Sequence, residues 1–161
     1  MLDQLMKVVE QKAKESIVDN KAIPDQLNNA AIKEVTNQIY NSLQLQVNKG
    51  QMDQVIALFY NQGKNQSPVV NSVAEAVTAS LSAKFNITPD NARAVASQIV
   101  PAVMNEIIQK ARDPRDIDFD VQQIMRRLTG NNTLDISEKI PKEEPKRFGS
   151  LGEIVSKFFG K

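Results

Sequence analysis

Cysteine, histidine and tryptophan are all missing from this 161-residue chain. Without cysteine there is no disulfide, no zinc–thiolate or iron–sulfur site and no thiol nucleophile. Without histidine the usual general base near neutral pH is gone. So are the commonest transition-metal ligand and any Ser-His-Asp arrangement. Catalysis would have to rest on Asp, Glu, Lys, Tyr or a bound cofactor, and would need a strongly shifted carboxylate or lysine. Nothing in the residue spacing supports that, and Tyr40 and Tyr60 read as side chains packed along helix flanks. The expectation is a protein that is not an enzyme, with no cofactor and no metal.

An excess of charge of either sign is also lacking. Twenty basic residues face 19 acidic ones, for a net +1, which argues against a whole-surface field for nucleic acid or anionic lipid but leaves room for a local patch. No apolar run approaches the ~18 residues of a membrane span. The N-terminal "MLDQLMKVVEQKAKE" has no signal-peptide apolar core, because charges recur every few residues. The chain therefore reads as cytoplasmic. Asn and Gln are abundant, 14 of each, but they are scattered through amphipathic segments as solvated helix faces. The apolar share, 41%, is a little low for a globular protein but well above the disordered range, and the length is enough for one domain with a sizeable core.

What is present is helical periodicity, nearly throughout. Leu2, Leu5, Met6, Val9, Ala13 and Ile17 step by three or four residues and share one helical face, with Asp19-Asn20 as a stop. Pro24 suits the first turn of a second helix, whose stripe is Ile32, Val35, Ile39, Leu43 and Val47, with Gly50 suited to its C-terminal cap. A short helix follows, with Met52, Val55, Ile56 and Phe59 inward and Gly63 after it. "KNQSP" is a loop. Ser67 can then cap a helix with Pro68 at its first position and a stripe of Val70, Val73, Val77, Leu81 and Phe85. "NITPDNARAV" carries the best start signal: Thr88 as N-cap, Pro89 first, Asp90 at the positive end of the helix dipole. Val95, Ile99, Val103 and Ile107 continue that stripe to about Ala111. Pro101 lies within it, and a kink or break near Ile99–Pro101 is expected, since proline removes a donor and crowds the preceding turn.

The two halves share a plan: a long helix, a turn with Pro-Asp (Pro24-Asp25, Pro89-Asp90), a longer helix, and a short helix closed by glycine (Gly63, Gly130). An internal duplication would give that plan, and so would a bundle that simply reuses its caps. The fold class expected is all-α, a compact multihelical domain of about six helices over residues 1–130. After Gly130 the polar stretch at 131–149, with two prolines, reads as a flexible linker. Residues 150–160 then form an amphipathic helix on a tether. Ser150 and Glu153 make a capping-box pattern, and Leu151, Ile154, Val155, Phe158 and Phe159 fall at i, i+3, i+4, i+7 and i+8.

The stretch "RDPRDIDFD" at 112–120 is the one acidic cluster. A calcium loop needs alternate oxygens, a glycine at its sixth position and a glutamate at its twelfth. Counting from Asp116, those two positions are Val121 and Arg127, so the tight turn and the bidentate ligand are both missing. A helix start accounts for more. Asp118 or Asp120 can cap a helix with Val121, Ile124, Met125 and Leu128 inward, Asp120 with Gln123 has capping-box spacing, and Arg126 and Arg127 suit its far end. Asp113-Pro114 makes the turn out of the preceding helix.

The segments "IVDNKAIPDQLNNAAI", "NSLQLQVNKG" and "SPVVNSVAEAVTASLSAKFNITPDNARAVASQIVPAVMNEIIQKARDPRDIDFDVQQIMRRLTG" together resemble the YidB-like bacterial family, a domain of unknown function, in its Bacteroidetes-type version. The resemblance covers about residues 1–130. Its most specific pieces are Ile99-Val100-Pro101-x-Val103-Met104-Asn105, Asp113-Pro114, Phe119-Asp120 and Leu128-x-Gly130. The family often has Lys-Thr-Asn-Asp-Pro where this chain has Lys110-Ala111-Arg112-Asp113-Pro114, so nothing tied to that Thr-Asn pair carries over. The resemblance implies a compact multihelical fold and brings no activity, cofactor or catalytic residues.

Two functions compete. The first is a helical interaction or scaffold module that self-associates or holds another protein. Burying the five apolar side chains of 150–160 at about 1.5–3 kcal/mol each gives a gross gain on the order of 10 kcal/mol, and ordering about ten residues costs a comparable amount. That helix therefore needs a groove on its own domain, on a second copy or on a partner. Phe158-Phe159 with Lys157 and Lys161 would also suit a lipid interface, though one short, weakly charged helix binds membranes weakly. The second is nucleic-acid binding through a helix-turn-helix-like unit at 76–100. Its exposed Asp90, Asn91, Arg93 and Gln98 are poor in cations, and phosphate contacts need them. Lys110, Arg112, Arg115, Arg126 and Arg127 could add to Arg93 as a patch, but four aspartates lie among them.

Overall fold

A computed structural model of the chain describes residues 1–60 and 67–140. Gly63 and most of the "KNQSP" loop, residues 141–149 and the expected docking helix at 150–160 lie outside the described residues.

The domain is all-α, with six α-helices and no strand among the described residues. Helix α1 is Leu2–Ala13 and continues as a π turn over Lys14–Val18 that seats Ile17 in the core. Asn20 ends it: its side-chain amide donates to the Ser16 carbonyl at 3.0 Å, and its side-chain oxygen accepts the Ala22 N–H at 2.9 Å. Pro24 precedes a 3-10 turn, Asp25–Leu27, which leads into α2, Asn28–Gln46. A second π turn, Val47–Gln51, joins α2 directly to α3, Met52–Tyr60, and Gly50 takes φ 84° at the bend. Only glycine adopts that left-handed conformation without strain, which fits its reading as the end of α2.

The second half opens with α4, Pro68–Phe85, where the Ser67 hydroxyl accepts the Val69 N–H at 3.2 Å. Asn86 closes it in the left-handed region at φ 53°, a conformation asparagine tolerates better than most residues. Helix α5, Pro89–Arg112, starts as its sequence indicates, with the Thr88 hydroxyl accepting the Asn91 N–H at 3.2 Å. A 3-10 turn at Ile117–Phe119 precedes α6, Val121–Thr129, whose N-cap Asp120 accepts the Gln123 N–H at 3.2 Å and whose end is Gly130 at φ 70°.

A single core holds the domain together. Helix α5 is its axis: Ala92, Val95, Ala96, Ile99, Val100, Val103, Met104, Ile107 and Ile108 are all buried. That set is wider than one stripe because α5 packs against α4, α1 and α3. Of the kink or break expected near Ile99–Pro101, the break does not occur: α5 is helical through Pro101. The carbonyl that Pro101 leaves without a helical donor belongs to Ser97, an exposed residue, so water can take the missing donor's place. Packing along both flanks then outweighs the cost of one ladder bond.

The principal pairings map onto one another when residues 1–60 and 68–129 are exchanged. Helix α1 packs on α2 as α4 packs on α5, α2 on α4 as α5 on α1, and α2 on α6 as α5 on α3.

The packed domain also runs past Gly130, into the stretch whose composition reads as linker. Ile136 is 0% exposed within the core, with Leu134 and Ile140 packed against it. Residues 131–140 are thus a strap laid across the end of the bundle. Three aliphatic side chains hold it there against an otherwise polar composition.

Candidate interaction surface

The acidic stretch resolves into structural pairings. Asp113 accepts the Arg115 backbone N–H at 2.9 Å and its guanidinium through two bonds, both 3.0 Å. These bonds hold the Asp113 carboxyl below its ordinary range. Asp116 pairs with Lys110 at 3.6 Å, and the Lys110 ammonium also lies 5.9 Å from the centre of the Phe119 ring. Asp120 is the cap of α6, as its spacing with Gln123 indicates. The shallow pocket bounded by Asp113, Asp116, Ile117 and Asp120 has a volume of about 240 Å³. Among the described residues no group of carboxylates is arranged to hold a metal ion.

The six cations considered for nucleic acid do not form one free patch. Arg93 pairs with Asp90 at 3.6 Å. Arg112 donates to the Phe59 carbonyl at 3.3 Å, and Arg126 to the Leu134 carbonyl at 2.8 Å. Lys110 and Arg115 are held by the aspartates just described, and Arg127 is exposed at the end of α6. Helix α5, the recognition helix of the 76–100 unit, is flanked by α1, α3 and α4 and forms the middle of the core. Gln98 on it reaches Glu15 at 3.5 Å.

A polar cross-link joins α2 to α4. Glu34, whose side chain is only 12% exposed, accepts from the Ser80 hydroxyl, from the Gln38 amide at 2.9 Å and from the Lys84 ammonium at 3.1 Å. Burial pushes its carboxyl up, and the bonds from Ser80, Gln38 and Lys84 together outweigh that, so the net shift is downward. The sequence gives no sign of it, since Glu34 and Ser80 are far apart along the chain and each alone reads as a helix-surface residue.

The richest set of side-chain-to-backbone bonds surrounds α6. Its last turn leaves carbonyls without helical donors. From α2, Tyr40 donates to the Arg127 carbonyl and Gln44 to the Leu128 carbonyl, both at 3.2 Å. On the outer face, Gln122 grips the strap twice: its amide nitrogen donates to the Leu134 carbonyl at 2.6 Å, and its amide oxygen accepts the Ile136 N–H at 2.9 Å. Arg126 donates to the same Leu134 carbonyl at 2.8 Å. Farther on, Lys139 pairs with Asp53 on α3 at 2.9 Å. The chain leaves the described domain from this point, beside the start of α3.

The partner-docking residues read from sequence, Leu151, Ile154, Val155, Phe158 and Phe159, lie outside the described residues. Among the described residues no helix is long and apolar enough to cross a membrane. No protein family, curated protein or solved structure matches the chain.

Proposed function

We propose that this protein acts by contact with another protein surface, a second copy of itself or a partner, as a helical interaction module without chemistry of its own. The observation that carries the reading is the way the chain is delivered at its end. The strap is held on the domain by buried Ile136 and by the Lys139–Asp53 pair. Residues 141–149 can span at most about 30 Å when extended. The apolar repeat of Leu151, Ile154, Val155, Phe158 and Phe159 therefore acts close to its own domain, as a helix that needs a groove to stay folded.

The finer architecture belongs to the same proposal: two similar three-helix halves followed by a tethered amphipathic helix. The exchangeable helix pairings favour the first part and the sequence period favours the second. Membership of the YidB-like family is proposed on the motifs quoted above, and it brings an expectation of fold and none of activity.

Deleting residues 149–161 tests the reading. The expected result is a smaller assembly by light scattering where the segment docks on another chain, or a lower melting temperature where it docks on its own domain. An unchanged mass together with an unchanged melting curve would count against it.

A further inference from the structure

The strap at 131–140 is held in an unusual way for a surface segment. Most of its polar anchoring goes through its own backbone. The single side-chain amide of Gln122 bonds the carbonyl of Leu134 and the N–H of Ile136, residues two apart, while Arg126 adds a second donor to that carbonyl. A side-chain amide used in this fashion reads an extended strand as a neighbouring strand would, whatever its sequence, while pockets for alternate side chains supply the selection. Here the alternate side chains are Leu134, half-buried, and Ile136, fully buried, while Asp135 between them is exposed. Three residues beyond Ile136, Lys139 meets Asp53 at 2.9 Å.

We propose that the face of α6 and α3 beneath the strap is a docking site for a short peptide segment of a partner protein, extended only where it meets Gln122, and that the chain's own strap is its resident, displaceable occupant. The partner segment would carry two aliphatic residues two positions apart and then turn, as the strap does where the Ile136 carbonyl accepts the Lys139 and Ile140 N–H groups at 2.8 and 3.2 Å, which brings a lysine or arginine three positions after the second to Asp53. Two features make the strap replaceable. It enters through Gly130, at φ 70°, and through a turn closed by Asn131, whose side chain accepts the Thr133 N–H at 3.0 Å, so it is joined to α6 by a turn and not by continuous helix. And only Ile136 of its side chains is fully buried, with Leu134 and Ile140 half-buried beside it, so lifting it uncovers a small aliphatic surface of the helical core. This site is argued from α6, Asp53 and residues 131–140 alone, and not from the contact proposed for 150–160.

The test uses a fluorescent peptide with the strap's sequence, NNTLDISEKI, titrated with the full chain carrying Ile136→Asp, which unseats the internal occupant. Saturable binding is expected by anisotropy. The unsubstituted chain should bind at least about tenfold more weakly, because its tethered strap competes at a millimolar effective concentration. Adding Gln122→Leu should weaken binding to the Ile136→Asp chain by a further factor of about ten, the loss of its two backbone bonds. A peptide with aspartate in place of the residue matching Ile136 should not bind. No saturable binding to a folded Ile136→Asp chain overturns the proposal, as does binding that ignores Gln122. If Ile136→Asp does not fold, amide exchange in the unsubstituted chain decides. The Ile136 N–H should exchange well before the Ile99 N–H of the core, and equal protection of the two overturns displacement. A dimer of the unsubstituted chain that Ile136→Asp dissolves would make a second copy the occupant and would overturn the choice of a foreign peptide.

Discussion

Glu34 offers the sharpest physical test of the fold, because its contribution has both a size and a pH signature. Replacing it by glutamine keeps its shape and removes the charge on which the Ser80, Gln38 and Lys84 bonds converge. The Ser80 bond, hydroxyl to carboxylate at the half-buried α2–α4 interface, should contribute about 1.5–3 kcal/mol. The Gln38 bond is an i,i+4 helix pair worth about 0.2–0.5 kcal/mol. The Lys84 pair belongs with surface ion pairs at about 0–1 kcal/mol, since that ammonium is 59% exposed. Glutamine retains weaker versions of these bonds, so Glu34→Gln should cost about 2 kcal/mol at pH 7, which is about 4–8 °C in melting temperature for a domain of this size.

The pH dependence follows from the direction of the shift. In the folded chain the Glu34 carboxyl lies below its ordinary value of 4.5, so the unfolded chain binds its proton first as pH falls. The stabilisation is complete above the ordinary value and disappears as pH drops through the lower, folded one. Urea unfolding of both chains should thus show the full difference at pH 7 and a difference that closes in the acid range below 4.5. Other carboxylates titrate there too, but they do so in both chains and cancel in the difference. A gap that persists undiminished at pH 2.5, or no gap at pH 7, would refute the assignment. A double-mutant cycle with Ser80→Ala isolates the bond between the helices.

Two further perturbations test the local reading. Thr88→Ala removes the N-cap of α5 and should cost about 1 kcal/mol in urea unfolding, with Thr88→Ser restoring most of it; no loss would mean that α5 is started by packing alone. Pro101→Ala returns a ladder donor to the carbonyl of exposed Ser97 at a half-buried position of a continuous helix, and should raise stability by about 1 kcal/mol or more. A destabilised Pro101→Ala would show that the proline ring is itself a packing element of α5.

What the sequence reveals is set by how far a determinant reaches along the chain. The caps at Ser67, Thr88 and Asp120 each bond an N–H two or three residues on, so a window of a few residues contains the whole interaction. The stripes of α2, α4, α5 and α6 are legible for the same reason, since one face of a helix repeats locally. Pro101 is where a local rule meets tertiary packing and yields to it. The Glu34 cross-link cannot be read locally at all: Ser80 and Lys84 reach it from another helix. The strap was hidden by averaging. Leu134, Ile136 and Ile140 step by two and then four, which matches neither a helical nor a strand period, and charged neighbours dominate any composition window. One buried isoleucine therefore carries the packing past Gly130.

The strap also bears on the proposed two-fold plan. Exchanging the halves carries α3 onto α6, and aligning Met52–Tyr60 with Val121–Thr129 places Val55, Ile56 and Phe59 opposite Ile124, Met125 and Leu128, all six buried. The same alignment places Asp53 opposite Gln122, and these are two of the side chains that hold the strap. The strap thus lies over the place where the paired short helices meet, yet it is a single segment with a direction and can satisfy that face in only one sense. At other aligned positions the two helices differ. Leu58 is buried on α3 while its counterpart Arg127 is exposed on α6, and Ala57 stands opposite Arg126, which donates to the strap backbone. On this argument the inward positions of α3 and α6 answer to a shared core, and the outward ones answer to whatever extended segment occupies the face between them.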